Sequence, residues 1–310
     1  MRVLVAGYSG LAGSAISSAF SRQSHEVIGL NRSIVDLMDR RATQRFLLST
    51  KPDLVIDAAA RVGGIWSNNT YPVRYLTENL TIQDNLMNAA HVAGIEKLIF
   101  LGSSCIYPRD CVQPIKEEYL MTGPLESSNA AYAVAKIAGI ELVNSYRKEY
   151  GVKWISLMPT NLYGPHDNFN LTSSHVLPAF IRRFVEASES GVKKVKLWGT
   201  GSPRREFLHV EDLAKAVVLA SEKYDSSLHL NVGTGEDLSI KDLATTVAKT
   251  VGYSGEIDWD PSKPDGTPRK VLDVSRIKAL GWKPTITLEE GLASTVAWYK
   301  AANARGEVRK

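Results

Sequence analysis

The sequence predicts an α/β protein: a doubly wound parallel sheet with a smaller mixed α/β substrate domain towards its C-terminal end. Three observations carry this. Short apolar runs at Arg2–Ala6, residues 54–56 and Lys97–Leu101 lack polar alternation, as strands buried on both faces do. Helix-period segments separate them, which is the order that builds a parallel sheet with crossover helices. That alternation fails near Tyr163, so we divide the 310 residues into 1–162 and 163–310, with a strand near 228–232 expected to return to the main sheet.

The first strand leads into Gly7-Tyr8-Ser9-Gly10-Leu11-Ala12-Gly13 and a helical pattern to about Arg22. Gly7 permits a tight turn, Gly10 lets the backbone approach a pyrophosphate, and Gly13 lets the helix lie close on the strand with its start facing the phosphates. Glycine triplets are common; a strand, a glycine turn and a helix in succession point to a Rossmann-type dinucleotide site. The next strand, Glu26–Leu30, ends at Asn31-Arg32, where an NAD-binding chain would place an acidic residue on the ribose hydroxyls. Arg32 suits a 2′-phosphate instead and points to NADP(H). A helix near residues 40–49 precedes the strand at 54–56, which runs into Asp57-Ala58-Ala59-Ala60; Ala58 and Ala59 are small enough to leave room for a cofactor. A long helical pattern from about Pro72 to Ala93 follows.

The strand Lys97–Leu101 delivers Gly102-Ser103-Ser104-Cys105-Ile106-Tyr107-Pro108 to the sheet's carboxyl edge, where ligands of open α/β sheets bind. A serine hydroxyl there can donate to a substrate carbonyl, and the two adjacent serines leave the choice between them open. Further on, Asn129-Ala-Ala-Tyr-Ala-Val-Ala-Lys136 sets Tyr132 and Lys136 four residues apart on a predicted helix, hence on one face. The ammonium is expected to lower the phenol's pKa from its reference of about 10, towards acid–base use. Surface Tyr-x-x-x-Lys pairs arise often by chance, and this one gains weight only from the glycine loop and serines upstream.

A charge of +4 and a pI near 8.9 are mildly basic, but Lys and Arg are dispersed among Asp and Glu, so an anionic small molecule is expected and nucleic acid is not. No apolar run approaches a membrane span, and the glycine loop comes too early for a signal peptide, so a cytoplasmic protein is expected. The cysteines, Cys105 and Cys111, are too few for a disulfide framework, and no metal is expected. Cys111 matches no motif.

A strand at 154–158 runs into Pro159-Thr160-Asn161-Leu162-Tyr163-Gly164-Pro165. A polar loop then reaches His175, which opens a helix carrying Arg182 and Arg183, and a strand at Lys194–Trp198 ends in Gly199-Thr200-Gly201-Ser202. Two more helical patterns, near 240–251 and 288–302, flank a loop at 261–268.

Together these segments resemble the extended short-chain dehydrogenase/reductase family. The resemblance rests on Val62-Gly63-Gly64-Ile65 with Asn68-Asn69-Thr70, on the Ser103–Pro108 stretch, on Tyr132 to Gly139, on Pro159 to Pro165, on Ser174-His175-Val176-Leu177-Pro178, and on Lys263-Pro264-Asp265-Gly266-Thr267-Pro268-Arg269-Lys270. It implies an NADP(H)-dependent enzyme that epimerises C3 and C5 of a GDP-linked 4-keto-6-deoxy sugar and reduces C4. Ser103 would bind the carbonyl, Tyr132 donate the proton, and Lys136 partner Tyr132 and hold the cofactor ribose. Cys105 and His175 would be the epimerising acid and base, with His175 also beside the cofactor. Chemistry suits the pair: a 4-keto group acidifies both carbons, and inversion needs one group to take a proton and another to return it. By the same resemblance Asn161, Arg183, Trp198, Arg205 and Lys270 surround the GDP-sugar and two helices per subunit form a homodimer; Asp265 is expected to read the guanine, since a carboxylate accepts two hydrogen bonds. One departure is Tyr8-Ser9, where relatives often carry His-Arg, which leaves the NADP preference to Arg32. The rival readings are a sugar-nucleotide 4-epimerase with tightly held NAD and a non-catalytic NADP-binding sensor.

Overall fold

The computed structural model describes residues 1–263 and 265–309, so Pro264 of the Lys263–Lys270 motif lies outside the described residues. Its first part alternates strands with helices, two helices filling one of the crossovers: β1 (Arg2–Ala6), α1 (Leu11–Arg22), β2 (Glu26–Leu30), α2 (Arg40–Thr50), β3 (Leu54–Asp57), α3 (Ile65–Thr70), α4 (Pro72–Val92), β4 (Lys97–Leu101), α5 (Ala130–Tyr150) and β5 (Lys153–Pro159). There follow β6 (Asn161–Tyr163), α6 (Val176–Ser190), β7 (Lys194–Trp198), β8 (Arg204–Arg205), β9 (Phe207–His209), α7 (Val210–Lys223) and β10 (Leu230–Val232). The chain closes with β11 (Leu238–Ser239), α8 (Ile240–Val251), β12 (Glu256–Asp260), β13 (Arg269–Lys270), α9 (Ser275–Ala279) and α10 (Leu288–Ala304).

Six strands form the main sheet in the order β10-β5-β4-β3-β1-β2, every pair parallel. With helices on both faces, its residues cannot alternate polar and apolar, and β3 and β4 are buried almost throughout. Strand order reverses at β1, which lies between β2 and β3. The crevice beyond that reversal is where doubly wound sheets take ligands.

Two apolar cores fill the molecule. One surrounds the main sheet, and the other lies among α6, α8, α10 and β7, with Phe169, Phe184 and Tyr299 fully buried in it. The segment beyond Tyr163 does not stay in the second core. Helix α7 packs on α1, and its Leu213, Val217 and Ala220 sit in the first core together with Leu272, Val274 and Ile277. Buried carboxylates fasten the two parts. Glu206 accepts from the Gly235 and Leu272 backbone N–H groups at 2.7 and 2.9 Å, and Asp212 accepts from those of Thr285 and Ile286 at 2.8 Å. Each such bond satisfies groups that would be costly to bury alone.

Candidate active site

At the strand-order reversal, Gly7 has φ +78°, and a Cβ there would stand 2.7 Å from the Ala58 carbonyl oxygen. A Cβ on Gly13 would come 2.1 Å from the Gly7 carbonyl oxygen, so only glycine lets α1 lie this close to β1. Gly10 is the first helix's cap, with no side-chain cap bond, and no acidic residue follows in the first turn. That end therefore offers backbone donors and the positive end of the helix dipole to an anion. Ala58 and Ala59 are half-buried beside it, and the Ala58 N–H donates to the Ala6 carbonyl at 3.1 Å. The cradle fits a dinucleotide pyrophosphate. Tyr8 lays its ring on β2, where a Cβ on Gly29 would approach it to 2.7 Å, so this position supplies an aromatic wall in place of a charge. The Arg32 side chain, two residues beyond the end of β2, is 69% exposed, with Asp36 at 3.7 Å.

The floor of the crevice is made by β4 and α5. Lys136 is buried and donates to the Leu101 carbonyl at 2.9 Å, with its Nζ 4.6 Å from the centre of the Phe100 ring. Burial pushes its pKa down to about 8, and the Asp57 charge opposes that. One turn earlier, Tyr132 departs from the sequence expectation. Its phenol is pushed well above the usual tyrosine range, mainly by burial and next by the Cys105 charge, while the facing Ser103 hydroxyl works the other way. Lys136 does not reverse this, because its Nζ lies over the ring, 6.0 Å from the centroid, and its bond goes to Leu101. Of the two serines, Ser104 is buried, whereas Ser103 is half-buried, faces Tyr132 and accepts from the Cys105 N–H at 3.2 Å.

The wall comes from loops. Cys105 is half-buried in a single turn of 3₁₀ helix, and Lys270 of β13 points its Nζ at the sulfur from 3.7 Å. His175 precedes α6, solvent-exposed at its surface yet walled by protein, and that partial desolvation with the Lys270 charge pushes its imidazole below the ordinary histidine range. Lys270 thus acts on both members of the expected acid–base pair. The Gly64 N–H donates to the Ser173 carbonyl at 2.9 Å, and a Cβ on Gly64 would sit 2.4 Å from the Ser174 oxygen, so the Val62–Ile65 turn lies directly against the loop that carries His175.

The expected substrate residues are less uniform. Arg205 is half-buried and feels Cys105, Glu126 and Asp265, which places it at the same wall. Arg183 is half-buried on α6, and burial lowers its pKa. Trp198 is half-exposed at the end of β7, with Lys263 over its ring at 5.8 Å. Asn161 spends its amide on the Glu206 carbonyl at 2.8 Å. Asp265 takes the Thr200 N–H and hydroxyl on separate oxygens, both at 2.8 Å, so its carboxylate ties the 265–270 loop to the turn after β7. Cys111 is half-buried, its thiol pushed up by burial.

Three residues at this site carried little or no sequence signal of their own. Tyr75 of α4 is buried edge-on to Tyr132, ring centres 6.5 Å apart, and bonds its hydroxyl to Ser67 at 2.8 Å. Glu126 accepts from Ser128 and Thr267 and so links the approach to α5 with the 265–270 loop. Asp57 is buried at the end of β3, and the one available hint was a charged residue closing an otherwise apolar strand. Among the described residues no group of metal-ligating side chains gathers, and no helix is long and apolar enough to cross a membrane.

The sequence model of the NAD dependent epimerase/dehydratase family matches residues 3–233. A GDP-L-fucose synthase of Escherichia coli (strain K12) is 49% identical over 308 residues, covering 96% of either chain. Among solved structures, a GDP-6-OMe-4-keto-L-xylo-heptose reductase from C. jejuni superposes with a TM-score of 0.92 at 34% identity, covering 97% of this chain and 98% of that one. A GDP-L-fucose synthetase from Naegleria fowleri, bound to NADP, gives a TM-score of 0.90 at 28% identity over 100% of this chain and 96% of that one.

Proposed function

The chain belongs to the NAD dependent epimerase/dehydratase family, and from that premise we propose that it converts GDP-4-keto-6-deoxy-D-mannose to GDP-L-fucose with NADPH. The observation that carries this is the meeting, in one crevice, of a carbonyl-directed set (Ser103, Tyr132, Lys136) with a second acid–base set whose two members share the Lys270 charge. A simple reductase or a 4-epimerase needs only the first set. The near full-length identity to a GDP-L-fucose synthase supports the same substrate.

In this reading Gly7, Gly10 and Gly13 would hold the pyrophosphate of the dinucleotide, Arg32 its 2′-phosphate and Lys136 its nicotinamide ribose. NADPH supplies the hydride when bound. Arg183 and Arg205 hold the GDP phosphates through their planar forks, Trp198 and Lys270 line the nucleotide and sugar, and Asn161 stands at the sugar end. One of Cys105 and His175 removes the C3 proton, and the electron pair moves onto O4 as an enolate, which Ser103 and Tyr132 stabilise by donating to it. The other member returns a proton to the opposite face, and the cycle repeats at C5. Reduction at C4 then needs a proton on O4. Tyr132 gives it: a phenol held above its usual range stays protonated at neutral pH, and the Lys136 ammonium lies beside it as it ionises. Asp265, with both oxygens engaged by Thr200, reads the guanine through its remaining lone pairs. We assign the protein to the cytoplasm and to a homodimer built from two helices of each subunit.

The deciding experiment supplies GDP-4-keto-6-deoxy-mannose and NADPH in heavy water and weighs the product after exchangeable protons are washed back. Deuterium at both C3 and C5 of GDP-fucose is the expected outcome. A reduced sugar without deuterium would leave a 4-ketoreductase, and nicotinamide retained through purification without net reduction would favour the 4-epimerase reading.

A further inference from the structure

Asp57 is used by nothing described so far, yet it is buried at the carboxyl end of β3 beside the crevice. Its Oδ1 accepts the Ala59 N–H at 3.2 Å, and its Oδ2 accepts nothing among the described residues. A buried carboxylate oxygen without a partner is costly, so its neighbours matter. In the parallel register Asp57 pairs with Phe100, and in-register residues of neighbouring strands project to the same face of the sheet. The face is that of α5, because a Cβ on Gly139 would come 2.3 Å from the Phe100 ring. Lys136 reaches down to the same place, with Nζ 4.6 Å from that ring's centre and bonded to the carbonyl of the next residue, Leu101.

We propose that Asp57 is a positioning residue for Lys136: its carboxylate, on the same face of the sheet one strand away, keeps the lysine an ammonium in a pocket whose other walls would discharge it. Those walls carry little that is charged. Around Lys136, α5 itself presents Tyr132, β4 presents the Phe100 ring and the Leu101 carbonyl, and α4 presents the neutral Gln83, whose Nε2 donates to the Ala135 carbonyl at 2.8 Å. Among the described residues Asp57 is the one carboxylate that acts on Lys136, and Lys136 the one ammonium that acts on Asp57. Burial opposes both charges, raising Asp57 to about 6 and lowering Lys136 to about 8, so the two are charged together in the interval around neutrality. A deprotonated Lys136 would lose its attraction for a developing tyrosinate, and proton donation to O4 would slow.

The consequence for turnover rests on the function proposed above, but the charge of Lys136 can be read without it. Carbon-13 NMR of lysine Cε in the full chain, with Lys136 identified by its missing resonance in Lys136→Arg, follows that charge directly. The wild-type midpoint should fall near 8. In Asp57→Asn the midpoint should drop by about one unit or more, the size of a close opposite charge. The alkaline limb of NADPH oxidation should move down with it, at unchanged KM for the GDP-sugar. Asp57→Ser, shorter and also neutral, gives the same reading if the asparagine variant misfolds. A Lys136 midpoint identical to wild type in either folded variant would overturn the proposal, even if activity fell. Failure to turn over the GDP-sugar would instead count against the proposed function and leave the NMR arm intact.

Discussion

The floor and the wall of the crevice are built on different physical terms. Tyr132 and Lys136 stand on a long helix whose residues Ala133, Ala135 and Gly139 are buried against the sheet, and Lys136 is fixed by a backbone carbonyl. Cys105, His175 and Lys270 come from a 3₁₀ turn, a helix entry and a two-residue strand, joined by a 3.7 Å contact to sulfur and by long-range charge. Packing holds the first set, whereas loop placement and electrostatics hold the second. Hydride chemistry on this protein should therefore be sensitive to side-chain identity, and the epimerising chemistry to charge as well.

The largest effects should separate the two regions outright. Tyr132→Phe is expected to slow NADPH oxidation by about 10²–10⁴-fold, the usual worth of a general acid, while deuterium still enters C3 and C5, more slowly for want of one enolate donor but with a smaller loss than reduction suffers. Equal loss of both activities would show that floor and wall do not act separately. Cys105→Ser should do the reverse, abolishing deuterium entry with NADPH binding unchanged by fluorescence titration. GDP-L-fucose formed at an undiminished rate would remove Cys105 from the mechanism.

A smaller effect tests the electrostatics of the wall. Desolvation first, and like-charge repulsion from Lys270 second, hold His175 below its ordinary range, so Lys270→Met should remove the second cause and raise the His175 midpoint by up to about one unit. On lowering the pH the imidazole would then take up its proton earlier, and the acid limb of C3/C5 exchange should move to higher pH. Histidine NMR together with the exchange profile checks this, and an unmoved midpoint would mean that the loop, not its charge, sets His175. The floor should be indifferent, with the pH profile of hydride transfer from a substrate already epimerised left as in wild type.

The smallest effect lies outside both regions. Arg32 is largely exposed with Asp36 at 3.7 Å, so Arg32→Ala should reduce the preference for NADPH over NADH by no more than about fivefold. Ratios of kcat/KM for the two cofactors measure it. A larger change would mean that Arg32 becomes desolvated against the 2′-phosphate.

Legibility followed the same division. The glycine turn, the order of strands and helices, and the Tyr132–Lys136 spacing were readable because each is local: a φ of +78° at Gly7, the length of a buried strand or a helical period is written within a few residues. Where sequence reasoning misjudged the site, the missing quantity was burial. The Lys136 ammonium was expected to depress Tyr132, yet burial of the phenol and the neighbouring Cys105 raise it, and the lowering influence comes from Ser103 instead. Asn161 and Asp265 were matched by motif alone, and the bonds they make, to the Glu206 carbonyl and to Thr200, come from residues distant along the chain.

By itself, then, the sequence determined a doubly wound sheet, a pyrophosphate cradle at Gly7 to Gly13 and a phenol–ammonium pair on one helix, since helical and strand periodicity and glycine's lack of a Cβ act over short distances. Only the tertiary structure decided that Lys270 faces Cys105, that Ser103 and not Ser104 opens onto Tyr132, and that Asp57 shares a sheet face with Phe100 under Lys136. Those relations depend on which strands become neighbours and on how much water their side chains lose, and both are properties of the packed chain as a whole.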